Sequence, residues 1–176
     1  KVDIHKMSPT ELHVFFSRYH KENICQAKST SDSYLSLDDY IGTVAKEHQL
    51  KLIGLESTEE QIELINKDVA GMPRKIHKKR LSNLLNRIKS NNTEGCAEID
   101  WYQNMDIDYQ FEQPCQNSLM LTDRNNKWMV ELKKLIHTNN CFIAVGLSHL
   151  MYQCGLINQL EKLGYTVTPV EIQKRL

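Results

Sequence analysis

Two residues stand where chemistry could be done. Glu56 follows the short apolar run 50–55, and His149 follows the run 141–145 across Gly146-Leu147-Ser148. Each run turns straight into a predicted helix. In open α/β sheets ligands gather beyond the carboxyl ends of strands, so neighbouring strands would bring Glu56 and His149 to one sheet edge. A carboxylate with an imidazole suits zinc or manganese binding, or acid–base work. Gly146 would leave room for a ligand or a second backbone. Plainer roles stay open. His149 also suits a capping or packing histidine, Glu56 a first-turn acid favoured by the helix dipole, and Arg124 either an anion clamp or a helix-start salt bridge.

Other chemistries find no motif. His5, His13, His20, His48, His77 and His137 have no paired spacing. The helical zinc signature His-Glu-x-x-His, the nucleophile elbow Gly-x-Ser-x-Gly and a phosphate-binding glycine loop are absent. The five cysteines, Cys25, Cys96, Cys115, Cys141 and Cys154, include no Cys-x-x-Cys pair, which argues against a zinc knuckle. Cys96 and Cys115 lie in polar sequence and are a candidate disulfide in an oxidising compartment. Cys141 opens an apolar run and reads as a small buried hydrophobe.

The elements that must position these residues alternate. Ser8-Pro9-Thr10-Glu11 is a capping box with Pro in the first turn. It starts a helix that carries Leu12, Phe15, Phe16 and Tyr19 on one face and fades near Asn23. Ser36 with Asp39 and Ser57 with Glu60 start helices over 37–49 and from 57 to about 66, with the predicted strand 50–55 between them. The first of these buries Tyr40, Ile41, Val44 and Ala45. A helix over 72–90 faces the core with Ile76, Leu81, Leu84, Leu85 and Ile88. Its other face, Arg74, Lys75, Lys78, Lys79, Arg80, Arg87 and Lys89, reads as solvated. Residues 91–117 have no strong period and predict irregular structure or short helices. A helix over 124–138 turns Trp128, Leu132, Leu135 and Ile136 inward. Then come the strand 141–145, a helix over 150–163 closed by Gly164, and a strand over 165–170. The expected class is α/β: a central mixed or parallel sheet with helices packed on it, in a single domain over residues 1–176.

With 176 residues the chain can bury a core, and its 22 basic and 22 acidic side chains cancel. Zero net charge gives no long-range pull toward nucleic acid or an anionic membrane. No run approaches the roughly 18 apolar residues of a membrane span. Residues 1–18 show no leader-like apolar core, and the chain opens without Met, so a tag, a leader or a whole upstream segment is expected to have been removed.

Three passages, in this order, resemble the TraB/GumN family, which includes the TIKI-type metalloproteases. They are Gly54-Leu55-Glu56-Ser57-Thr58-Glu59-Glu60-Gln61, the stretch Leu121-Thr122-Asp123-Arg124-Asn125-Asn126-Lys127-Trp128, and the G-x-x-H passage Gly146-Leu147-Ser148-His149 with the closing Gly164-Tyr165-Thr166-Val167-Thr168-Pro169. The resemblance spans roughly residues 37–170. It implies an α/β fold in which two G-x-x-H motifs face one site. It makes His149 a metal ligand or catalytic histidine, with Glu56 as co-ligand and catalytic group, Arg124 catalytic, and Asn125 and Gly146 against substrate. It also implies a divalent metal (zinc, manganese or cobalt), a peptide or protein substrate, and export to the periplasm or cell surface. The chain departs from the pattern by lacking the first G-x-x-H, which is expected in an N-terminal part beyond this sequence; the chain then reads as the C-terminal part of such a domain. Met151-Tyr152-Gln153-Cys154-Gly155 replaces a more glycine-rich loop.

Three functions follow from these readings: a metal-dependent hydrolase, foremost a peptidase; an inactive relative that binds peptide or protein; and a hydrolase of a non-peptide substrate. Glu56 and His149 alone are too few ligands for a catalytic zinc, which takes three from the protein. The pair is therefore expected to hold divalent metal weakly or not at all.

Overall fold

The structure is a computed structural model that describes residues 3–26, 35–97, 99, 101 and 107–170. Its contacts gather into two compact units, Lys1–Ser36 with Val69–Ile107, and Leu37–Asp68 with Asp108–Leu176.

In the first unit α1, Pro9–His20, starts at the capping box the sequence predicts: the Ser8 side chain accepts from the Glu11 N–H, and Glu11 reaches back to the Ser8 N–H. A wider π turn, Lys21–Cys25, extends it. Its inward face is more polar than the expected stripe. Phe15 and Tyr19 are exposed, Leu12 and Phe16 are half-buried, and the fully buried residue is His20. Helix α4, Arg74–Lys89, packs on α1 with Leu84 buried and Leu81 and Ile88 half-buried, while Ile76 and Leu85 stay exposed. Its residues Lys75, Lys78, Lys79, Arg80 and Lys89 are exposed, as expected of a solvated face.

The second unit holds α2 (Leu37–Glu47), nearly all of α3 (Thr58–Val69), α5 (Asp123–Thr138) and α6 (Leu156–Lys162). Ser57 and Glu60 exchange hydrogen bonds as a reciprocal cap on α3. The core is Trp128, Met129 and Leu132 of α5 against Leu156 of α6, with Leu55, Ile136, Ile143, Val145, Leu150 and Leu160 packed around it.

The expected central sheet does not form. Among the described residues there is no strand, and 50–54, 141–146 and 165–170 make no backbone ladder. The α/β reading is thus corrected to a helical structure. The reason is visible at 141–145, where burial alternates: Ile143 and Val145 are half-buried and Phe142 is 80% exposed. The alternation comes from side chains leaning on the α5–α6 core, and pattern alone does not distinguish that from strand pairing. Leu50, Leu52 and Ile53 are likewise exposed.

The helix expected over 150–163 begins only at Leu156. Residues 150–155 form a tight turn in which a Cβ at Gly155 would stand 2.4 Å from the carbonyl oxygens of both Leu150 and Met151. Gly164 closes α6 in the left-handed region, φ +88°.

The cysteines pair Cys25 with Cys96 and Cys115 with Cys154. The candidate Cys96–Cys115 bridge is therefore replaced by two others, one inside each unit. Cys141 is free and exposed rather than buried. No helix among the described residues is long and apolar enough to cross a membrane.

Candidate functional site

Glu56, Arg124, Asn125 and His149 come together in the second unit around Trp128. Three of the five sit on the first turns of α5, where positions 124 and 128 lie one turn apart on the same side. Glu56 arrives from the loop just before α3, and His149 from the short 3-10 turn Leu147–His149.

Both Glu56 carboxylate oxygens face the Arg124 guanidinium: Nε donates to Oε2 at 3.0 Å, and Nη2 pairs with Oε1. The fork is bidentate, and it is largely withdrawn from water, with Glu56 5% and Arg124 16% exposed in their side chains. Burial would raise the Glu56 pKa. The hydrogen bond and charge of Arg124 outweigh it, with Gln61 and His149 adding to them, and hold the carboxyl below the usual carboxylate range. Arg124 lies 4.9 Å over the Trp128 ring, and its Nη1 reaches the Met120 carbonyl.

His149 is buried, its ring centroid 4.4 Å from that of Trp128. Its tautomer follows from Asn125. The Asn125 Nδ2 donates to the carbonyl oxygens of His149 and Cys154, at 3.2 and 2.8 Å, and so its Oδ1 must face the imidazole. Oδ1 only accepts, and His149 Nδ1 stands 2.7 Å from it. Nδ1 therefore carries the proton and Nε2 keeps a lone pair. Burial and the neighbouring Arg124 charge, opposed by Glu56, push the His149 pKa down from 6.5 to about 4. At neutral pH the ring is a neutral lone-pair donor.

This arrangement fits the candidate metal only in part. A ligating histidine typically anchors its other ring nitrogen on an acceptor, as His149 does on Asn125. Glu56 is no free co-ligand, because Arg124 occupies both of its oxygens, and a divalent cation there would meet the guanidinium charge. The one cluster of three potential ligand groups among the described residues lies elsewhere, in the first unit. The residues present do not make a metal centre at His149.

The sequence-predicted residues thus assemble, but with altered parts. Asn125 is fully buried and spends its amide on holding His149 and the 150–155 turn. A Cβ at Gly146 would meet only the His149 ring, at 3.8 Å, an ordinary contact. Trp128 was legible only as a core residue. In the structure it is the platform shared by the cation and the imidazole, and its buried Nε1 has no hydrogen-bond partner. The helical spacing from Arg124 was the available signal. The chain after His149 is clasped to the loop 109–116 by Tyr152 N–H to Tyr109 O, Gln153 N–H to Gln113 O and the Cys115–Cys154 bridge. A cleft lined by Asp108, Phe111, Pro114 and Gln116 opens along this loop.

Residues 2–169, nearly the whole chain, match the profile of the TraB/PrgY/gumN family. Searches of curated proteins and of solved structures returned no significant match.

Proposed function

Because the chain belongs to the TraB/PrgY/gumN family, we propose that it is a hydrolase of peptide bonds whose chemistry centres on His149. One observation carries the reading: the Asn125–His149 hydrogen bond, which fixes the proton on Nδ1 and leaves Nε2 bare in a buried setting. With a pKa near 4, His149 carries no second ring proton to give at pH 7. It serves through its lone pair, by accepting a hydrogen bond from an attacking water or from substrate, and Asn125 keeps the ring from flipping. Arg124 and Glu56 neutralise each other and hold the Trp128 platform in place. Metal dependence rests on the family resemblance and needs ligands other than Glu56, whose oxygens Arg124 occupies. Export to an oxidising compartment belongs to the same proposal, and is supported by the two disulfides.

The test is peptide-library digestion read by mass spectrometry, with wild type, His149→Ala and His149→Gln compared and circular dichroism as the folding control. The expected result is a loss of at least about a hundredfold in cleavage rate in folded variants. Equal cleavage by a folded variant would remove His149 from the reaction. A second reading has its own support, because the bidentate Arg124–Glu56 pair leaves no free carboxylate at the site. In that reading the chain is an inactive relative that binds peptide or protein. Saturable peptide binding without cleavage by wild type would select it.

A further inference from the structure

The first unit carries a cluster that the peptide-bond chemistry does not use. His20, Cys25 and Cys96 each offer one ligand atom, and these atoms lie within 4.8 Å of one another. His20 and Cys96 are buried, at 5% and 6% exposure, and Cys25 is half-buried. The two sulfurs are joined as a disulfide. The His20 Nε2 lies 2.8 Å from the Asn92 carbonyl oxygen. A carbonyl only accepts, so Nε2 carries the ring proton and Nδ1 keeps its lone pair. That lone pair faces the Cys25 sulfur at 3.6 Å. A disulfide sulfur has no hydrogen to donate, so the oxidised cluster holds a buried acceptor aimed at a group that cannot satisfy it.

We propose that this cluster is a thiol-switched site for a zinc-class divalent cation, formed when the Cys25–Cys96 bridge is reduced. A two-electron reductant, a dithiol or a phosphine, breaks the S–S bond, and two protons complete two thiols. The cation then forms one bond to each sulfur and one to His20 Nδ1, and releases the two thiol protons. Zinc–sulfur bonds of about 2.3 Å and zinc–nitrogen bonds of about 2.0 Å in a tetrahedron set ligand atoms roughly 3.6 to 3.8 Å apart. His20 Nδ1 and the Cys25 sulfur already stand at that spacing, and all three ligand atoms lie within 4.8 Å of one another, so small shifts on parting the sulfurs complete the triangle. The Asn92 carbonyl plays the outer-shell part, fixing the tautomer and aiming the ring. Three ligands leave a fourth position open. A two-electron oxidant, a small-molecule disulfide that is itself reduced to two thiols, takes the two electrons, re-forms the Cys25–Cys96 bond and expels the ion.

The experiment uses the 176-residue chain, reduced with a phosphine or left oxidised, and titrated with Co²⁺ and then Zn²⁺. Reduced wild type is expected to take one Co²⁺ per chain with sulfur-to-cobalt charge transfer and tetrahedral d–d bands, which Zn²⁺ displaces. Oxidised wild type shows neither. Cys25→Ser and Cys96→Ser each weaken binding by more than the roughly 10–100-fold that loss of an outer-shell partner costs. The Cys115→Ser/Cys154→Ser double variant keeps the bands. If reduction melts the helices, Zn²⁺ restores the circular dichroism under the proposal. Absence of thiolate–cobalt bands in a folded reduced chain would overturn it. So would bands that survive both single variants, or a melted chain that zinc does not restore.

Discussion

At the scale of residues, the Arg124–Glu56 fork of the second unit is a largely desolvated ion pair, and its energetics are asymmetric. Both side chains are largely out of water. Removing one partner strands a desolvated charge, whereas removing both does not. Glu56→Ala is therefore expected to cost about 3–5 kcal/mol, read as a drop in the denaturation midpoint. The double variant Glu56→Leu/Arg124→Met should recover most of that loss. A single variant that costs less than about 1 kcal/mol would show that the pair is solvated like an ordinary surface bridge. Asn125 illustrates a residue whose role the sequence could not give. Its place beside Arg124 marks it as near the site, but only the backbone carbonyls of His149 and Cys154 reveal that it is a positioning group. Both come from sequence more than twenty residues away.

At the scale of elements, caps were the most legible features. Ser8 with Glu11, Ser57 with Glu60, and Gly164 all do what their types dictate, because capping is a local interaction over three or four residues. The sheet was not legible, because an apolar run reports burial and not its partner. Residues 143 and 145 satisfy the period of a strand while packing on α5 and α6. The turn 150–155 was read as helix because its polar and apolar residues keep a helical rhythm. The chain turns there so tightly that a Cβ at Gly155 would meet the Leu150 and Met151 carbonyl oxygens, which only glycine avoids. Gly155→Ala should therefore cost about 1–3 kcal/mol or more, since the added methyl would press on backbone and not on a movable side chain. Gly42→Ala, in the open on α2, is the control and should be neutral to stabilising by about 1 kcal/mol. Equal thermal melting of the Gly155→Ala variant and wild type would contradict this geometry.

At the scale of the whole molecule, each compact unit holds one disulfide. The pairing escaped sequence reading because each bridge closes a long loop, 71 and 39 residues apart, and spacing rules see only close pairs. The same blindness hid the His20–Cys25–Cys96 cluster, two of whose members are five residues apart, at the end of α1 and the end of the π turn that extends it, while the third comes from beyond α4. Denatured without reductant, the chain is expected to titrate one thiol, Cys141, and five after reduction. Three or five thiols in the unreduced sample would mean that one or both bridges are not formed.

Stability should also fall in acid. His149 has its folded pKa lowered from 6.5 to about 4, so between those values the unfolded chain binds the extra proton. The stability this gives is fully present above about pH 6.5, declines as pH falls, and is gone below about pH 4, at most about 3 kcal/mol. Glu56, whose folded pKa is also lowered, works in the same direction. Its share is lost as pH falls through its own depressed range.

The central claim is that His149 presents a bare Nε2 and a protonated Nδ1. Long-range ¹H–¹⁵N correlation of the imidazole in uniformly ¹⁵N-labelled protein reads this directly, with His149→Gln assigning the signal. The expected result is a protonated Nδ1 and an unprotonated Nε2 from pH 8 down to pH 5, with a titration midpoint near 4. A proton on Nε2, or a midpoint near the ordinary 6.5, would contradict it.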